Sequence, residues 1–144
     1  MSRFLAALML GAAVVAVAGC GGGGKKSSSS DMAQIEQNWT AFFSGSTPAD
    51  QKIGLLENGQ RFAQVIKAQA NSPLAKQSKA QVSSVTVNGS RATVKYTITL
   101  AGKPALKNQS GTAVKQGGAW KVSDTSFCQL LALQGSPPPP CPHG

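Results

Sequence analysis

The feature that most constrains this chain is a change of hydrophobic period at Pro73. Before it, apolar residues recur at three- and four-residue intervals: Met32, Ile35, Trp39, Phe42 and Phe43 form one stripe, and Phe62, Val65 and Ile66 another. That spacing belongs to helices that bury one face. After Pro73 the period is two. Ala92, Val94, Tyr96, Ile98 and Leu100 share one face of a segment whose other face carries Thr93, Lys95, Thr97 and Thr99. This is the pattern of a strand packed on a core on one side and wet on the other. Helices first and strands afterwards make the fold class α+β, not a series of alternating α/β units.

Turn and cap residues divide these two halves. Asp31 is placed to cap the first helix and Gly45 to stop it. Thr47-Pro48-Ala49-Asp50 restarts the chain with a capping hydroxyl, a proline at the first helical position and an acid three residues on. Ile53, Leu55 and Leu56 belong to that short helix, which Asn58-Gly59 ends; a third begins near Gln60 and stops at Asn71-Ser72-Pro73. In the strand half, Ser83, Val85 and Val87 run into Asn88-Gly89, the pair that a tight type I′ hairpin prefers because both central residues need positive φ. Ala101-Gly102-Lys103-Pro104 turns the chain into a third strand from about Leu106 to Gln116, and Gly117-Gly118 turns it into a fourth holding Trp120 and Val122. Such short connections make an antiparallel meander. Thr125 or Ser126 caps a closing helix with Phe127, Leu130, Leu131 and Leu133, and Gly135 ends it.

Upstream of this domain, Arg3 and the amino terminus form a positive segment, Phe4 to Ala18 an apolar one, and small residues lead to Cys20. This is the layout of a secretory signal. The apolar run falls short of the roughly 20 residues that span a bilayer comfortably. Val17-Ala18-Gly19-Cys20 resembles the processing site of bacterial lipoproteins, in which the cysteine is lipidated and becomes the first residue of the mature protein. The resemblance implies that Cys20 is a lipid anchor and that the protein sits at the cell membrane, on its extracytoplasmic face. An ordinary signal peptide followed by a chance cysteine, or an uncleaved anchor, are the alternatives. The expected organisation is residues 1–19 signal peptide, 20–30 lipidated cysteine and flexible Gly/Lys/Ser linker, 31–135 a single α+β domain, and 136–144 a proline-rich tail. The run Gly21 to Ser30 buries nothing and acts as a tether reaching about 17 Å. Lys25 and Lys26 each add about 1 kcal/mol of attraction to an anionic bilayer.

The cysteine count follows from that anchor. Of three cysteines, lipidation of Cys20 leaves Cys128 and Cys141 as a pair, and a compartment outside the cytoplasm permits a disulfide between them. Two free thiols are the alternative. The proline run Pro137 to Pro140 spaces the two cysteines; its other reading is a docking ligand for an aromatic groove.

Loss of residues 1–19 removes Arg3 alone from the fourteen Lys and Arg, so thirteen remain against five acids, a balance of +8. Basic charge points to an anionic partner. Nucleic acid is a poor one for an exported protein whose lysines are scattered, so envelope lipid or an acidic wall polymer is expected instead, with plain solubility as the other reading.

Three short segments carry a family resemblance. Asn38-Trp39-Thr40-Ala41-Phe42-Phe43-Ser44-Gly45, Lys52-Ile53-Gly54-Leu55-Leu56-Glu57-Asn58-Gly59 and Gly117-Gly118-Ala119-Trp120-Lys121-Val122-Ser123 are similar to actinobacterial lipoproteins and secreted proteins related to the mycobacterial low-molecular-weight antigen. The likeness covers roughly residues 31–133. It implies a cystatin-like or nuclear-transport-factor-like fold, with N-terminal helices packed on a curved antiparallel sheet of about four strands and a short C-terminal helix. It implies no activity and no catalytic residue.

The chemistry-bearing residues are sparse. The single histidine, His143, stands next to last, no His/Cys/carboxylate set has metal-ligand spacing, and the five acids form no pair. Asp31, Asp50 and Asp124 sit at helix starts or turns, while Glu36 and Glu57 are expected to be solvated. No cofactor, no metal and no catalytic activity are expected. An isomerase or dehydratase remains only by analogy with folds of this class. The aromatic residues fit a helical core first. As a ligand box, the candidates are Trp39, Phe43, Phe62, Tyr96 and Trp120. Two non-enzyme functions follow: a carrier of an apolar envelope molecule between helices and sheet, or a module showing the Thr93–Thr99 face to another envelope protein.

Overall fold

The computed structural model describes residues 23–135 together with Pro139 and Cys141. Cys20, the signal segment, His143 and most of the proline run therefore lie outside the described residues. Helix α1 spans Gly23–Phe43, α2 Ala49–Leu55 and α3 Ala63–Ala70, with single 3-10 turns at Gly59–Phe62 and Ala75–Gln77. Strands β1 (Ser78–Asn88), β2 (Arg91–Leu100), β3 (Lys103–Gln116) and β4 (Ala119–Val122) follow, and α4 (Asp124–Leu133) closes the fold. The strands form one antiparallel meander in the order β1-β2-β3-β4. Helices first, a curled four-stranded sheet next and a short helix last is the α+β arrangement expected.

The start of α1 differs from expectation. The helix begins at Gly23, inside the stretch read as a flexible linker, and Asp31 lies within it instead of capping it. Elongating an existing helix adds one hydrogen bond per residue, whereas the costly step is nucleation. The packed stripe Ile35, Trp39 and Phe42 provides the nucleus from which α1 continues upstream. Similarly, α4 is capped by Ser123 and not by Thr125 or Ser126. The Ser126 amide donates to Ser123 Oγ at 3.1 Å, and the Thr112 amide donates to Ser126 Oγ at 2.7 Å. The chain passes from β4 straight into the helix, so the cap falls at the first residue after the strand.

Bulges curl the sheet. Between Val82 and Ser84 the pairing of β1 with β2 slips by one residue, leaving Ser83 extra on β1, and its hydroxyl donates to the Lys95 carbonyl at 3.1 Å. The slip keeps Val82, Val85 and Val87 on the face that meets Tyr96, Val94 and Ala92, although three residues and not two separate Val82 from Val85. Two further slips in β3 fall opposite Tyr96 to Thr99, and there Asn108 takes a left-handed φ of 53°. An extra residue on one strand bends it and increases its twist. Pro104 is tolerated in this strand because β4 pairs only with Ala113–Gln116, so the other half of β3 has a free edge.

The core lies between the inner sheet face and α1, α2 and α3. Trp39 and Trp120 are each 1% exposed, and Leu56 and Val94 are fully buried. Gly111 on β3 makes room for Trp39: a Cβ there would stand 2.7 Å from the indole carbons Cη2 and Cζ2. The charge is segregated by layer. No acidic residue occurs between Glu57 and Asp124, so the entire sheet carries only cations: Lys79, Arg91, Lys95, Lys103, Lys107, Lys115 and Lys121.

Candidate functional site

Four of the five candidate lining residues are core. Trp39, Phe62, Tyr96 and Trp120 are between 1% and 2% exposed and pack on one another and on their neighbours. The Trp39 ring meets the edge of Tyr96 at a centroid distance of 5.1 Å, Tyr96 stacks on Phe43 at 5.5 Å, and Phe62 meets Phe127 edge-on at 5.5 Å. Such pairs contribute beyond their buried area. Burial pushes the Tyr96 hydroxyl up to about 12 from its ordinary 10.0, because the phenolate would lose its hydration. Trp39 Nε1 is buried and has no hydrogen-bond partner among the described residues.

Trp120 serves a different purpose, joining β4 to α1. Its Nε1 donates to Asp31 Oδ1 at 2.9 Å, and the Asn38 side-chain amide donates to the Trp120 carbonyl at 2.8 Å. Lys115 Nζ lies 3.5 Å from the same Asp31 oxygen and 5.7 Å from the centre of the Trp120 ring. Glu57 is not a free solvated acid. Its carboxylate accepts from the Asp124 amide at 3.2 Å, at the start of α4, where the unpaired amides of a helix end favour negative charge.

The cavity lies at the other end of the sheet. Here the end of β2 and the start of β3 curl away, and α4 closes over a space of about 400 Å³. Its walls include Phe43, Ile66, Ile98, Leu106, Phe127 and Leu131, so Phe43 is the one sequence candidate that reaches it. Leu74 and Leu133, which are 59% and 63% exposed, also line it and form an apolar rim. The remaining wall residues are mostly small or amide-bearing, with Lys52 as the only ionisable group among the described lining residues. Its ammonium is pushed below its ordinary value of 10.5 by burial.

The wall is held in place by covalent and polar ties. Cys128 on α4 is bonded to Cys141, with the two Cα atoms 5.6 Å apart, as the cysteine count implied. Closing a loop of this length stabilises a fold by about 3 kcal/mol on the chain-entropy model. The leucines and isoleucines of the wall were not singled out by sequence reasoning. Their signal is only the apolar run of α4 and the inner face of β2, which any core shares.

Among the described residues, no group of three or more His, Cys, Asp or Glu side chains could hold a metal ion. No helix among them is long and apolar enough to cross a membrane. No curated protein matches the chain. One solved structure, provisionally described as an NTF2-like transpeptidase from Campylobacter jejuni, is similar with a TM-score of 0.39 at 14% identity, covering 61% of this chain and 92% of that one. A likeness that loose carries no activity across. The sequence pattern of the low molecular weight antigen MTB12 C-terminal domain matches residues 29–138, from within α1 through α4 and into the tail. With most of α1, the other helices and all four strands inside that match, the chain belongs to the MTB12 C-terminal-domain family.

Proposed function

We propose that this protein is a non-catalytic lipoprotein, held at the extracytoplasmic face of the cell membrane by lipid on Cys20, whose domain binds an apolar envelope molecule in the cavity under α4. The observation that carries this reading is the cavity itself, about 400 Å³ walled by Phe43, Ile66, Ile98, Leu106, Phe127 and Leu131. Ligand sites are typically concave, mostly apolar and about 300–1,000 Å³ in volume. The lining is mostly aliphatic and aromatic with few polar groups, which suits holding an apolar molecule. The cations of the acid-free sheet are mostly exposed and are suited to anionic headgroups or acidic wall polymer beside the anchor.

Native mass spectrometry of the chain from residue 20 onward, made with Cys20→Ser so that no covalent lipid adds to its mass and incubated with the lipid extract of its own cell envelope, tests this reading. A lipid-sized adduct is expected, and it is expected to disappear when Leu131→Trp fills the cavity. A bare protein mass across repeated preparations would overturn it. Labelling with a radioactive fatty acid tests the anchor separately: label is expected on the wild-type chain and not on Cys20→Ser.

A further inference from the structure

The geometry points to a single-chain amphiphile with an anionic head as the occupant of the cavity, with Lys52 holding the head; this rests on the cavity's being a ligand site. Volume sets the number of chains. About 400 Å³ is roughly thirteen water volumes of ~30 Å³. A methylene takes up nearly the same space, so the cavity matches one acyl chain of common length.

Charge sets the head. Lys52 is the only ionisable residue among the described lining, and it makes no ion pair among the described residues. Asp50, the acid on the same helix, lies 3.6 Å from Lys67 instead and borders a separate shallow recess. Lys52 is half-buried in a lining whose other polar side chains are Gln69, Ser72, Ser78 and Gln134, none of them charged. A neutral ligand entering past Leu74 and Leu133 would strip more water from this ammonium and return nothing. A carboxylate or phosphate head gives it a charge-assisted hydrogen bond in a partly desolvated place, where such bonds are strongest. The burial that already depresses its pKa is relieved by the same contact.

The test compares two ligands of equal chain length, palmitate and hexadecanol, titrated below their aggregation concentrations against the processed chain carrying Cys20→Ser. Wild type is expected to bind palmitate about tenfold more tightly than hexadecanol, the factor that one charge-assisted hydrogen bond supplies. Lys52→Met keeps the aliphatic stem and is expected to lose this preference while binding hexadecanol as before; Lys52→Arg is expected to restore it. Equal affinity for the two ligands in wild type, or a preference that survives Lys52→Met, overturns the head assignment and leaves the cavity reading in place. Failure of both ligands to bind wild type overturns both. Far-ultraviolet circular dichroism of each variant confirms that the comparison is made between folded proteins.

Discussion

The two ends of the hydrophobic core are built from similar residues and end differently. Under α1 and β4 the space is filled: Trp39 lies against Gly111 with no room for a methyl group, and Trp120 is fastened by Asp31 and Asn38. Under α4 it is hollow, although Phe43, Phe127, Leu130 and Leu131 are available to fill it. The difference lies in the backbone. At the filled end β2, β3 and β4 pair in regular register, whereas at the hollow end two slips in β3 and the left-handed Asn108 bend the strands away before side chains can meet. Apolar composition sets that a core forms; strand geometry sets where it stays open.

The largest effect is expected from emptying the filled end. Trp39→Ala should lower unfolding free energy by about 3–5 kcal/mol, because the site is closed on all sides and cannot collapse. Urea titration followed by circular dichroism checks this. A cost under about 1 kcal/mol would mean that this end is not close-packed. Next is the tie on the hollow end. Cys128→Ser with Cys141→Ser should cost about 2–4 kcal/mol, and hydrogen exchange should rise in α4 more than in α1. Uniform exchange across both helices would show that α4 is not held by the bridge.

Gly111→Ala and Ala70→Leu form a matched pair. Adding one carbon beside Trp39 should cost about 1–3 kcal/mol, while adding three carbons at Ala70, on the cavity wall, should change stability by less than about 1 kcal/mol. If Ala70→Leu proves the more costly, the ends have been assigned the wrong way round. The Tyr96 hydroxyl gives a pH test of the filled end. Its folded pKa of about 12 stands above the ordinary 10.0. The corresponding stability is therefore full below pH 10 and is lost as pH rises through 12. Wild type should weaken over that window more than Tyr96→Phe does, as read from denaturant midpoints at each pH. Parallel curves would place the phenol in water.

Much of the fold was legible from residue order. The switch of period at Pro73 and the pair Gly117-Gly118 are local signals that the strands follow. The first hairpin, by contrast, turns one residue later than Asn88-Gly89 implies: Asn88 ends β1 paired with Arg91, and of the turn residues Gly89 and Ser90 only Gly89 has a positive φ. The pairing of Cys128 with Cys141 followed from counting. What was hidden depends on contacts far apart in sequence. Asp31 looked like a cap because it precedes an apolar stripe; its partner, the Trp120 indole, stands 89 residues away. Glu57 looked solvated because no other acid or site-forming residue accompanies it in sequence, yet it meets the first amide of α4, 67 residues on. The extra residue Ser83 left a trace, the three-residue step from Val82 to Val85, that breaks the period of two. The cavity left none. Aromatic residues drew attention as a ligand box, but their size is what packs them into the core, and the open space is walled by ordinary aliphatic side chains.

The segregation of charge bears on survival in acid. Acid unfolding proceeds by protonating carboxylates that the native state holds paired, and by charging buried histidines. Neither residue type occurs from Asn58 through Ser123, so the sheet's ladders hold no carboxylate and no histidine for acid to charge or discharge. The carboxylates of the fold stand at the seams instead, where Asp31 receives Trp120 and Glu57 receives α4. The five acids of this protein are all carried by its helices and the turn after α2, so the sheet's own charge has one sign throughout.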